Sequence, residues 1–318
     1  MGAGIVYALA ACFIWGLIFI VPQFMTGFSS IEVALGRYLF YGVVSLLIFA
    51  QAQWRMRKRY SGAVWLKAFY FSLISTIGYY TFVVLSLRFS TPSVCALILG
   101  ISPITIAFYG NWMQRETTFK SLIFPSLLIL LGLIAINIPH FQAAGKLFYS
   151  HGAGLACGFV ALLAWSWYVV ANARFLKEHQ QVRSSDWCTL IGVATFFWVL
   201  LFALVIAAFF QEELHLKKYI TLSIDLTRFL IGSAILGVLC SWVGAWAWNR
   251  ASLRLPVSLA GQLTIFETLF GVLFIFILQQ QMPPAIEAVG IGVMLLAITL
   301  GVRQFSSKRN YNDQLKPH

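Results

Sequence analysis

Ten charge-poor apolar runs, each about twenty residues long, divide this chain and leave it few ways to fold. A bilayer core about 30 Å thick is crossed by roughly 20 helical residues rising 1.5 Å each. Within lipid every backbone N–H and C=O needs a partner, so such runs become helices. They lie at approximately 3–24, 31–52, 66–87, 91–112, 121–139, 151–173, 187–210, 228–249, 256–278 and 284–303. Only 10% of the 318 residues are charged and 60% are hydrophobic, whereas a soluble domain carries about 25% charged residues. A chain so poor in charge cannot clothe a globule in water. The soluble, secreted, fibrous and disordered classes are excluded together. From Gly2 to Ile31 there is no charge and no basic segment ahead of the apolar stretch, so this reads as a first span rather than a signal peptide. The expected fold class is an all-α integral membrane protein with ten transmembrane helices.

The formal charge of +12 could suggest a nucleic-acid partner, but its distribution points elsewhere. Lys and Arg gather in every second connection, in the groups Arg55–Lys67, Arg115–Lys120, Arg174–Arg183, Arg250–Arg254 and Arg303–Lys316. Sixteen fall on the side of the termini, against five opposite (Arg88, Lys146, Lys217, Lys218 and Arg228), with Arg37 inside the second span. Positive charge in short loops stays cytoplasmic, so both termini are expected in the cytoplasm of a cell inner membrane. Cys12, Cys95, Cys157, Cys188 and Cys240 all fall within spans with no C-x-x-C pair, and read as packing residues.

A weak internal repeat is legible. The Trp15 region, Ala11-Cys-Phe-Ile-Trp15-Gly, echoes Ala161-Leu-Leu-Ala-Trp165-Ser; Ser29-Ser30 answers Ser184-Ser185; the approach to Pro92 answers that to Pro256. Five spans is an odd number, so the second half must lie upside down relative to the first. The expectation is two inverted-topology repeats, 1–145 and 146–318, with a substrate site near the midplane between them, as in many secondary transporters.

Glu267 is the only acid near the middle of any span. Placing it there costs about 3 kcal/mol on insertion scales, so it should meet a partner or a wet cavity. It is a candidate substrate-amine or proton-coupling site, against the plainer reading of a neutral carboxyl bonded to a neighbouring helix. Arg37 could meet a substrate carboxylate, but a structural ion pair with Glu32 or Glu287 is favoured. Helical spacing picks out three stripes: Trp15, Phe19 and Gln23; Trp165, Tyr168 and Asn172; Trp242, Trp246 and Asn249. Such aromatic faces either line a cavity for a small amphipathic or cationic solute or pack as interfacial belts. Tyr79, Tyr80 and Gln262 are further lining candidates. Pro103 frees backbone carbonyls and is a candidate hinge in span 4. Gly154 and Gly158 form a G-x-x-x-G step suited to close helix packing.

At Trp15-Gly16, Arg37, the Leu87-to-Pro103 stretch, Glu116 in Gln114-Arg-Glu116-Thr, and Gly132, the chain resembles the drug/metabolite transporter superfamily, EamA type. The resemblance covers about residues 4–303 and implies ten spans in two inverted five-helix repeats that export amino acids, other metabolites or drugs. It departs at Gln280 or Gln281, where the second repeat often has an acid, and at Gly192, where an echo of Arg37 would fall.

The function expected is secondary transport, mainly export, of a small amphipathic metabolite such as an amino acid, by alternating access with proton coupling as one option. An efflux carrier for cationic drugs is the alternative. A membrane-embedded lipid-modifying enzyme is the rival of another class, disfavoured because ten dispersed acids offer no metal cluster and no paired acid and base. A channel would need a polar pore, and these spans carry few polar residues. No cofactor, metal or nucleic acid is expected. The expected partners are the solute, the lipid bilayer and, as an open option, a second copy in a homodimer.

Overall fold

The computed structural model describes residues 1–90, 92–144, 152–209, 216–219 and 223–314; the side chains of 53–55, 57–58, 92–93, 139–144, 216–217 and 307–314 are not described. The expected boundary at 145/146 lies outside the described residues, as do Lys146 and Lys316 and the side chains of Arg55, Arg57, Lys58, Lys217, Lys308 and Arg309.

Every described element is helical. Spans 1 to 10 are Gly2–Phe24, Ser30–Ala52, Gly62–Phe89, Val94–Gln114, Phe119–Ile138, Gly152–Glu178, Ser184–Phe209, Ile224–Ser252, Val257–Gln279 and Ala285–Ser306. Local chemistry sets several starts. Ser29 and Glu32 form a reciprocal capping box, with Glu32 N–H donating to Ser29 Oγ at 3.2 Å and Ser29 N–H to Glu32 Oε2 at 2.7 Å. Outside the spans, Tyr219 donates to Glu32 Oε1 at 3.1 Å; burial, then the carboxylate beside it, push this phenol above its ordinary range and keep it a donor. Large apolar side chains such as Leu66, Leu204 and Phe209 point outward, as lipid-facing residues must.

An even span count puts both termini on one side, here the terminal side; the other is the far side. Span 1 packs on span 8 and span 3 on span 6, while 2 pairs with 7, 4 with 9, and 5 with 10. Exchanging each span with its counterpart five places on leaves this set of pairings unchanged, as an in-plane twofold requires. Backbone irregularities obey the same exchange. Wide π turns occupy Leu73–Gly78 in span 3 and Ile235–Val243 in span 8. Span 4 is interrupted between Gly100 and Ser102, and span 9 at Thr264. Both then end on a left-handed residue, Arg115 at φ 49° and Gln280 at φ 52°. Span 1 breaks the symmetry. Its last turns, Leu17–Phe19 and Val21–Phe24, are 3₁₀, whereas span 6 is continuous.

Candidate functional site: a central aromatic chamber

The broken spans open a chamber. The second part of span 4, Ser102–Gln114, lies against the first part of span 9, Val257–Leu263. The first part of span 4 packs instead on spans 5 and 6, and the second part of span 9 on span 1. The two spans therefore meet on the terminal side and diverge on the far side. Between them and spans 1, 2, 3, 6 and 8 is a cavity of about 900 Å³, reaching from Trp165 and Trp248 at mid-depth to Gln281, Met282 and Glu287 at the far side. Ligand pockets run to about 300–1,000 Å³, so a metabolite fits with water to spare.

Its floor is aromatic. Trp15 donates its indole N–H to Cys240 O at 2.8 Å, which fixes the ring; its centroid lies 6.3 Å from Trp165 and 5.4 Å from Trp248. Tyr79 and Tyr168 flank Trp165 at 5.3 and 5.6 Å. Asn249 lines the base of the cavity, and behind it a buried polar network closes the terminal side: Trp187 Nε1 donates to Asn172 Oδ1 at 2.7 Å, and Asn172 Nδ2 to Asn249 Oδ1 at 2.8 Å.

Two carboxyls and one guanidinium line the chamber, Glu287 at its far mouth and Arg37 and Glu267 deeper in. Arg37 Nε donates to Ser241 Oγ at 2.9 Å, and its guanidinium lies 5.3 Å from the Tyr38 ring centroid. It forms no ion pair with Glu32 or Glu287, in contrast to the reading favoured above: Glu32 caps its own helix and binds Tyr219, while the π turn of span 8 brings Ser241 to Arg37. Glu267 lines the chamber, half-buried, and among the described residues no group pairs with its carboxyl. The plainer reading, a carboxyl bonded to a neighbouring helix, does not describe it. The positive field at Glu267 comes from Arg37. The chamber can thus meet an ammonium group with Glu267, a carboxylate with Arg37, and an apolar or cationic body with its rings.

Trp15, Trp165, Tyr168, Tyr79, Tyr80, Arg37, Glu267 and Pro103 all line the chamber. Asn172, Trp242, Trp246, Gln262 and Gln23 do not. Gln23 leaves its stripe because the 3₁₀ turns after Gly16 rotate it outward, where it bonds Phe19 O. Trp242 and Trp246 are turned away by the π turns, which advance the helix more slowly than an α-helical count. Trp242 meets Thr189 Oγ1 at 3.3 Å and Trp246 meets Tyr7. Gln262 is buried beside Gly301 on span 10. The sequence reading missed Tyr38, Ser75, Thr76, Ser241, Trp248, Thr264 and Thr268, which also line the cavity. Hydroxyls at matching places in two apolar runs, Ser75-Thr76 and Ser241, were the available signal. No group of three or more potential metal ligands occurs among the described residues.

Among the described residues, ten helices long and apolar enough to cross a membrane, in pairwise exchange symmetry around a closed-bottomed chamber, define the architecture of a multi-pass membrane protein. Residues 2–138 match the EamA-like transporter family. The family resemblance read from the sequence is thus met by a match over the first part of the chain, and the likeness to a membrane transporter family rests on it. The matched segment coincides with the first five spans. The chain is 29% identical over 314 residues to "Inner membrane protein YtfF" of Escherichia coli (strain K12), covering 95% of this chain and 96% of that protein. A solved crystal structure superposes with a TM-score of 0.78 at 14% identity, over 96% of this chain and 99% of its own, and shares the fold.

Proposed function

We propose that the protein is a secondary carrier of small amphipathic metabolites bearing both an amine and a carboxylate, amino acids foremost, working by alternating access between two inverted repeats, 1–145 and 146–318. It works in the cell inner membrane with both termini cytoplasmic, and mainly exports. Sixteen basic residues against five support that orientation. The observation that carries the reading is one chamber presenting a carboxyl, Glu267, and a guanidinium, Arg37, neither with an ion-pair partner among the described residues, above an aromatic floor. Proton coupling through Glu267 belongs to the same proposal.

Purified protein in liposomes is expected to catalyse saturable, substrate-specific counterflow of an amino acid, found first by ligand-dependent thermal stabilisation. A channel would give no counterflow. Efflux of cationic compounds is the second reading, favoured by Glu267 standing among rings. Arg37→Gln separates the two. It should abolish recognition of a carboxylate-bearing substrate and spare or improve that of a purely cationic one.

A further inference from the structure

We propose that Glu116, outside the chamber, is the latch that holds the terminal side shut, and so positions span 9 for the transport cycle. This rests on the carrier reading for its place in that cycle. Glu116 follows the left-handed turn at Arg115 that ends span 4. Its Oε1 accepts from Val257 N–H at 2.6 Å, and its Oε2 from Ser258 N–H at 2.8 Å and from Ser258 Oγ at 2.6 Å. One carboxylate on span 4 thus captures three donors in the opening turn of span 9, through short, charge-assisted bonds. The backbones beneath are pressed together. A Cβ on Gly110 would lie 2.6 Å from Val257 Cγ1, and one on Gly261 would lie 2.8 Å from the backbone N of Ala107. The contact cannot open by side-chain movement alone; the two spans must part, and the three bonds must break when they do.

The remaining features fit a contact meant to break and re-form. Lys177 Nζ, on span 6, lies 3.6 Å from Glu116 Oε1 and donates to Gln114 Oε1 at 3.2 Å. When span 9 leaves, the carboxylate keeps a counter-charge and stays aimed at the seat. The interruptions at Gly100–Ser102 and Thr264 let the terminal-side parts of spans 4 and 9 swing while their far-side parts stay packed on other spans. On the far side, the corresponding place after span 9 holds two neutral residues, Gln280 and Gln281, the latter at the mouth of the open chamber. One end carries an acid latch and is closed; the other lacks one and is open.

The test is pulsed dipolar spectroscopy on protein in nanodiscs without substrate, with the five native cysteines replaced by alanine. Spin labels at Met113→Cys and Arg254→Cys span the terminal side; labels at Phe89→Cys and Gln279→Cys span the far side. Glu116→Gln presents an amide NH₂ to donors and leaves one acceptor for three. It should add a longer terminal-side distance and a shorter far-side distance, raising the open-to-closed ratio at the terminal side at least tenfold. Ser258→Ala removes one bond and keeps the carboxylate capped on the backbone, so it should move both distances the same way by less. That graded pair keeps the test standing if Glu116→Gln fails to fold. Unchanged distances in folded protein, or terminal-side broadening without the far-side shortening, overturn the latch and mark Glu116 as a plain helix cap. If distances shift while no solute is ever transported, the latch survives and the carrier reading falls; unchanged distances with intact transport do the reverse.

Discussion

Among single residues, those facing the chamber and those sealing it carry opposite predictions. Glu267→Gln keeps the shape and hydrogen-bonding capacity of the side chain but removes its charge. Transport should fall by at least an order of magnitude, or lose its pH dependence, while the melting temperature changes little; unaltered initial rates and pH response in liposomes would remove Glu267 from the mechanism. Asn172, read from the sequence as a lining candidate, sits in the seal instead. Asn172→Ala strands Trp187 Nε1 and Asn249 Oδ1 in a buried place, at a cost of about 1–3 kcal/mol for each group left unpaired. Thermal unfolding should register that loss with the apparent affinity for substrate unmoved. Side-chain type and depth were enough to single out Glu267, Trp15 and Trp165 in the sequence. They were not enough for Asn172, because an amide at membrane depth is satisfied equally well by a cavity and by another helix, nor for Gln262, which is buried against span 10 rather than facing the cavity.

At the level of helices, irregular turns decide which residues share a face. Counting by three and four assumes 3.6 residues per turn, and spans 3 and 8 violate that in the stretches that line the chamber. The same turns carry Ser75, Thr76 and Ser241 to the wall. Close crossings form a second device. Spans 5 and 10 meet where a Cβ on Gly132 would lie 2.7 Å from Gly290 O, and one on Gly290 would lie 2.8 Å from Gly132 O. Gly132→Val should wedge this pair apart, destabilise the protein by about 1–3 kcal/mol and lower its melting temperature, leaving the chamber's charges in place. A variant as stable as wild type would mean that the two helices slide past each other freely. The G-x-x-x-G step of span 6 meets span 3 likewise: Gly154 O accepts from Ser86 Oγ at 2.9 Å.

For the molecule as a whole, orientation is the property most open to a direct check. If the proposed orientation holds, a green fluorescent protein fused after His318 should fluoresce and a periplasmic phosphatase fused there should be inactive, since the charge asymmetry predicts a cytoplasmic C-terminus. The reverse pattern would turn the proposed direction of the open chamber around with it. The pairings 1–8, 3–6, 2–7, 4–9 and 5–10 tie the two halves together, so neither half owns the chamber: Arg37 comes from the first five spans, Glu267 from the last five, and the aromatic floor from both.

The sequence by itself determined the number of spans, their limits to within about five residues, the placement of both termini on one side, and the acid at mid-depth. Those follow from transfer of each segment into hydrocarbon, a local and nearly additive free energy that a single chain displays openly. Tertiary structure alone decided that Arg37 bonds Ser241, that Trp248 replaces Trp246 on the floor, and that Glu116 reaches across to span 9. Each depends on how one helix is rotated and broken against another. In lipid that choice is made by packing and by hydrogen bonds between distant segments, which hydropathy does not encode.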